Sequence, residues 1–141
     1  MPTFRSPPDI QQLNAQGRGT LAEALGIEFT EAGEDFLRGR MPVDQRTRQP
    51  FGLLHGGASV ALAETLGSAA GNYCVDPATS VGVGLEISAN HLRGITQGWV
   101  IGTARPLHLG RTTQVWDIRI EDESGRLVCI SRLTVAVIPK P

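Results

Sequence analysis

Within residues 49–75 a single side chain carries a formal charge, the carboxylate of Glu64. On a helix of 3.6 residues per turn, Gly57, Ala61, Glu64 and Ser68 share one face, so three small residues flank the carboxylate and leave room for a ligand against it. A carboxylate in so apolar a stretch is costly to bury unpaired, and enzymes use such groups as general bases or nucleophiles. Pairing with an arginine elsewhere in the core is the structural alternative.

Just upstream, Gln49-Pro-Phe-Gly-Leu-Leu-His55-Gly56-Gly57 brings a carboxamide, an imidazole and two glycines to the start of that helix. The first N–H groups of a helix lack intrahelical partners and lie at the positive end of its dipole. Glycine lets a substrate approach them, so the segment suits an anion or a developing oxyanion. For His55, a loop-stabilising role and a chemical one both stay open. Glu64 lies eight residues beyond Gly56, about 12 Å along a continuous helix. A base and an oxyanion donor acting on one carbonyl must each come within about 3 Å of it. The spacing therefore predicts a homodimer in which the two groups come from different chains.

The elements that must position these residues follow from periodicity. Residues 57–73 carry small and apolar side chains on every face with no β-branched run, which predicts a helix buried on all sides. Asp9 is suited to cap a short helix through Gln16, and Thr20 with Glu23 forms a capping-box pattern for another over 21–25. Residues 27–41, with Gly33 in the middle and Pro42 at the end, read as a hairpin, and 43–54 as a loop. Strands are predicted over 80–92, 99–107, 112–121 and 127–138, the last two joined by the turn Glu123-Ser124-Gly125-Arg126. In the third of them Gln114, Trp116, Ile118 and Ile120 alternate with Val115, Asp117, Arg119 and Glu121, the pattern of a half-buried antiparallel strand. The fold class is α+β, a single antiparallel sheet wrapped around one long central helix. One domain is expected over 1–141, with residues 1–20 as an N-terminal extension.

Composition narrows the partners. The 13 Lys and Arg against 14 Asp and Glu are scattered, so no footprint for nucleic acid or an anionic membrane is present. The stretch 49–75 is too polar for a membrane span, and the N-terminus lacks the apolar core of a signal peptide. Cys74 and Cys129 have no CxxC partner and are expected as buried free thiols in a reducing cytoplasm. His55, His91 and His108 are too dispersed for a zinc spacing, and nucleophile-elbow, dinucleotide and P-loop patterns are absent. Neither a metal nor a cofactor is expected.

Met41-Pro-Val-Asp44, the run from Gln49 to Gly57, Ala63-Glu64, Gly84-Leu-Glu-Ile-Ser-Ala-Asn-His91 and Pro106-Leu-His-Leu-Gly110 together resemble the hotdog-fold acyl-CoA thioesterases. Within that family they are most similar to the subgroup of enterobactin-pathway proofreading thioesterases and 1,4-dihydroxy-2-naphthoyl-CoA hydrolases, with 4-hydroxybenzoyl-CoA thioesterases more distant. The resemblance covers nearly all of the chain from about Leu13 and implies hydrolysis of aromatic acyl-CoA or carrier-protein thioesters. It implies Glu64 as nucleophile or general base and the Gly56 N–H as the group that polarises the carbonyl. Gln49 and His55 would orient the carbonyl and the attacking water or leaving thiolate, and Ser68 would support that end of the cleft. CoA, a substrate portion and not a cofactor, would lie along Gly84, along His91, Leu92, Arg93 and Gly94, and along His108, Leu109, Gly110, Arg111, Thr112 and Thr113. Arg93 and Arg111 would meet its phosphates. The implied assembly is a dimer of dimers, with Glu64 facing the neighbour's residues 49–57; residues 91–98 depart most from the pattern. Phe51, Ala69, Ala70 and Ala89 suggest a flat apolar pocket for the aromatic ring. A hotdog hydratase or dehydratase, and a non-catalytic acyl-CoA-binding domain, are the alternatives at this point. The latter usually carries an added DNA-binding helix-turn-helix, for which only about 20 preceding residues are present.

Overall fold

The structure, a computed structural model, describes residues 2–141. Helix α1 (Ile10–Gln16) starts at Asp9, whose carboxylate accepts from the Gln12 N–H at 3.0 Å. Helix α2 (Leu21–Leu25) starts at Thr20 and ends at Gly26, which takes the left-handed conformation (φ 74°) that such a helix end needs. The expected capping box is displaced by one residue: Thr20 Oγ accepts from Ala22, but Glu23 reaches back to the N–H of Gly19.

Strands β1 (Glu28–Ala32) and β2 (Leu37–Pro42) form the hairpin, and α3 (Gly56–Asn72) follows the loop. Then come β3 (Ser80–His91), β4 (Trp99–Leu109), β5 (Thr113–Asp122) and β6 (Leu127–Pro139). All pair antiparallel in one sheet of order β1-β2-β4-β5-β6-β3. Strands β4, β5 and β6 form a meander, whereas β3 crosses to the far edge and leaves one side unpaired. The β5–β6 turn is held by Asp122, whose carboxylate accepts from the N–H groups of Ser124 and Arg126. Hydrogen bonding, chiefly from the Arg126 backbone, pulls that carboxyl down to about 2.

The sheet curls over α3, and glycines let the two come close. Gly39 of β2 and Gly102 of β4 are cross-strand partners. A Cβ on either would stand 2.8 or 2.7 Å from a methyl group of Leu66, so the pair forms a hollow that this side chain fills. Leu62, Leu66, Trp116, Ile118, Ile120 and Leu133 are fully buried around it. Phe4 closes one end of the core, stacked on Trp116 with ring centroids 6.4 Å apart. Gln114, on the inward face of β5, is satisfied where it is buried: it accepts from Trp116 Nε1 at 2.9 Å and donates to the Gly71 carbonyl near the end of α3 at 3.2 Å.

Two expectations need correction. Helix α3 is not buried on all sides: Ala58, Ser59, Leu62, Ala63, Leu66, Gly67, Ala70 and Gly71 are, but Ala61, Glu64, Thr65, Ser68, Ala69 and Asn72 are only half-buried. Six strands enclose one side of the helix and leave the opposite stripe open. Of the two free cysteines Cys129 is buried, but Cys74 is half-buried. Burial still pushes the Cys74 thiol up to about 11, which keeps it protonated and unreactive at neutral pH. No helix among the described residues is long and apolar enough to cross a membrane.

Because Leu66 is fully buried and fills the Gly39–Gly102 hollow, Leu66→Ala is expected to cost about 3–5 kcal/mol in urea unfolding. Gly102→Ala, which overfills the hollow, is expected to cost about 1–3 kcal/mol. A loss below about 1 kcal/mol for Leu66→Ala would contradict this packing.

Candidate active site

Glu64 lies midway along α3 on the open stripe, with Ser68 one turn further on. Its carboxylate packs against the β3 backbone at Gly84, in the space that a Cβ there would take. Among the described residues it takes part in no hydrogen bond or ion pair. No arginine among the described residues pairs with it; Arg40 pairs with Glu28 and Arg126 with Asp122.

At the other end of the stripe His55 caps α3. Its Nδ1 accepts from the Gly57 N–H at 2.8 Å, and its carbonyl accepts from Ala58 and Ser59. A neutral ring that accepts through Nδ1 carries its proton on Nε2, so the free nitrogen is a donor. The N–H of Gly56, the first residue of the helix, has no partner among the described residues. The His91 imidazole lies against Gly56, where a Cβ would come 2.8 Å from its Nε2 and push the ring aside.

Gln49 shapes the loop that leads in. Its Oε1 accepts from the N–H of Phe51 and, at 3.4 Å, from that of Leu53, around a turn made by Gly52 (φ 87°). Bonds from Leu54 to the Ile95 carbonyl and from His55 to the Thr47 carbonyl, each 2.7 Å, pin the loop in place. Phe51, at its tip, is 89% exposed. Of the expected ring pocket, Ala69 and Ala89 are half-buried, but Ala70 is fully buried in the core and lines no cleft.

The residues expected along CoA do not converge within one chain. His91 pairs with Cys129 of β6, and Leu92, Arg93 and Gly94 continue from it, with Gly94 beside Leu53. Gly84 pairs with Val135, and so does Gln114, which places the β4–β5 turn at the Glu64 end of the sheet. That turn carries His108, Leu109, Gly110, Arg111, Thr112 and Thr113. The two groups reach β6 at positions six residues apart, roughly 20 Å along the strand. Arg93 and Arg111 are both exposed. One protomer thus presents two half-sites: Gln49, His55, Gly56, His91 and Gly94 at the start of α3, and Glu64, Ser68 and Gly84 beyond its middle.

A family model described as the thioesterase superfamily matches residues 51–129. The chain belongs to that superfamily. It is 58% identical over 129 residues to the proofreading thioesterase EntH of Cronobacter turicensis, covering 92% of this chain and 93% of that one. It is 55% identical to the 1,4-dihydroxy-2-naphthoyl-CoA hydrolase of Escherichia coli, covering 92% and 94%. A crystal structure of a mutant thioesterase from Pseudomonas aeruginosa superposes with a TM-score of 0.97 at 53% identity, covering 98% of this chain and 99% of that one. The protein is a thioesterase, and its one sheet around one long helix is the hotdog fold.

In this thioesterase His55 caps α3, and substitution tells that duty apart from a role in turnover. Loss of an N-cap acceptor costs about 1 kcal/mol, so His55→Ala is expected to lose that much stability in thermal unfolding together with turnover. His55→Asn keeps an acceptor for Gly57 and is expected to restore stability without restoring turnover. Equal stability of the two variants would show that the cap contributes nothing. Asn72 carries no motif, yet its carboxamide makes three hydrogen bonds, to Ser68 and to both backbone groups of Gly82. The only sign of it in the sequence is a polar side chain on the Glu64–Ser68 stripe, two turns after Glu64.

Proposed function

We propose that this thioesterase hydrolyses aromatic acyl-CoA thioesters at sites shared between two chains, with Glu64 of one chain acting on a carbonyl held by Gly56 of the other. The observation that carries this is the separation of two unpartnered groups by one uninterrupted helix. The Gly56 N–H and the Glu64 carboxylate are eight residues apart on α3, about 12 Å, and no motion of a loop can bring them to one carbon.

A second copy supplies what is missing. The open stripe of α3 lies beside the unpaired edge of β3, where Val83 is 41% and Leu85 69% exposed. Antiparallel pairing of that edge with its copy covers both and sets the half-site of one chain against the complementary half-site of the other. Two such dimers form the tetramer.

In the shared site the carbonyl oxygen accepts from the Gly56 N–H, strengthened by the positive end of α3, and from Nε2–H of His55 or the Gln49 carboxamide. Glu64 takes a proton from water as the water oxygen bonds to the carbonyl carbon; the C–S bond then breaks and the proton passes to the departing thiolate. In the nucleophilic variant the Glu64 carboxylate bonds to the carbonyl carbon and the C–S bond breaks, releasing the thiolate and leaving a mixed anhydride; water then cleaves the anhydride to the free acid and the Glu64 carboxylate, and its proton goes to the thiolate. The pantetheine and nucleotide run past Gly84, the segment from His91 to Gly94 and the β4–β5 turn, with Arg93 and Arg111 at the phosphates. Phe51, Ala69 and Ala89 flank the ring; the names of the naphthoyl-CoA hydrolase and proofreading relatives favour an aryl group. Two free thiols, with no partner for a disulfide, suit the cytoplasm.

The test is Glu64→Gln assayed against benzoyl-, phenylacetyl- and aliphatic-CoA and carrier-protein thioesters, with crotonyl-CoA as the hydration control. Loss of a catalytic carboxylate is expected to cut kcat by about a thousandfold or more with KM little changed, and aryl thioesters are expected to lead the panel. Retained turnover by Glu64→Gln, or hydration of crotonyl-CoA without thiol release, would overturn the proposal.

A further inference from the structure

We infer that Asn72 is a positioning residue of this thioesterase: its carboxamide sets the height of the edge strand β3 over α3, and thereby the surroundings of Glu64. The inference rests on the reading of Glu64 as the catalytic carboxylate. On an edge strand alternate residues turn their N–H and C=O away from the neighbouring strand, toward nothing. Gly82 is such a residue, and it is buried. Asn72 Oδ1 accepts from the Gly82 N–H at 2.9 Å, and Asn72 Nδ2 donates to the Gly82 carbonyl at 3.0 Å. The carboxamide stands where the peptide group of a next strand would stand. Its second Nδ2 hydrogen goes to the Ser68 carbonyl at 2.9 Å, which ties the fork to the helix one turn beyond Glu64 and stops it from swinging.

Two residues along β3 from Gly82 is Gly84, the backbone on which the Glu64 carboxylate rests. A closed ring results: two turns of α3 from Glu64 to Asn72, the fork to Gly82, two residues of strand, and the contact from Gly84 back to Glu64. The strand cannot change its distance from the carboxylate without breaking the fork. That distance has chemical weight, because among the described residues the carboxylate accepts no hydrogen bond. A strand closer by a few tenths of an ångström would bring backbone donors onto it and lower its basicity; a strand further out would admit water around it. Among the described residues no other side chain hydrogen-bonds the edge of β3 to the catalytic stripe, and aspartate cannot replace asparagine, since two of the three bonds need a donor.

The experiment is steady-state hydrolysis of benzoyl-CoA, or of the panel thioester turned over fastest, by Asn72→Ala, Asn72→Asp, Gly84→Ala and the double variant Asn72→Ala/Gly84→Ala, with Glu64→Gln beside them. Both Asn72 variants are expected to lower kcat tenfold or more with KM within twofold. The double variant is expected to fall no further than the worse single one, since both act through the same strand displacement. Folded Asn72 variants with kcat within twofold of wild type, or losses that multiply with that of Gly84→Ala, overturn the inference, whereas turnover by Glu64→Gln overturns the catalytic reading beneath it. Should the variants fail to fold, amide exchange in the wild-type protein decides: the Gly82 N–H is expected to be as protected as that of Ile118 in the middle of β5, and exchange at the rate of an open chain would sink the fork.

Discussion

An α-helix is stiff over three turns, and in this thioesterase both halves of the candidate site are fixed to the same one. Gly56 begins α3 and Glu64 sits eight residues on, about 12 Å away. Between and beyond them Leu62 and Leu66 lock the helix to the sheet, Leu66 in the hollow formed by Gly39 and Gly102. The packing that buries those two leucines also fixes the rotation of the helix, and so turns Glu64 and Ser68 toward the open stripe. Position along the helix and direction around it are both set by core contacts rather than by any contact within the cleft.

The polar groups divide on the same line. Every fully buried side-chain nitrogen and oxygen among the described residues has a partner. Gln114 serves Trp116 and the end of α3, Asp122 the β5–β6 turn, His55 the start of the helix. The Glu64 carboxylate and the Gly56 N–H are among the groups left unpaired, and they are the two that the proposed reaction uses. The edge of β3 and the open stripe lie beside them. In the proposed dimer this surface, with its unpaired strand groups, exposed Val83 and Leu85 and half of a site, is where a second copy would complete both the sheet and the chemistry.

Alternation made the strands legible: in β5, Gln114, Trp116, Ile118 and Ile120 are buried and their neighbours are not. The helix around Glu64 was equally legible, because seventeen residues of small and apolar type with no strand period admit little else. Its open stripe was not, since composition counts small residues without telling how far a sheet curls around them. Ala70 is fully buried and Ala69 half-buried, a difference of one position on a helix whose faces look alike in sequence. The family resemblance grouped Gly84, His91 to Gly94 and His108 to Thr113 by their expected ligand, and the register on β6 separates them to opposite ends of one protomer. The Asn72 fork needs the sheet to curl until its edge meets the last turn of α3, a long-range feature that no local pattern records.

Sharing of the site between chains is the central claim, and mixing two inactive proteins tests it most directly. Glu64→Gln removes the carboxylate. His55→Asn removes the imidazole donor of the opposing half-site without breaking the helix, because asparagine keeps an acceptor for the Gly57 N–H. If the sites are shared, a hybrid dimer of the two has one site with both defects and one with neither. The refolded equimolar mixture should therefore recover about a quarter of wild-type turnover, since half of randomly formed dimers are hybrids. If carboxylate and oxyanion donor act within one chain, every site keeps a defect, and a mixture as inactive as its parents would contradict the account.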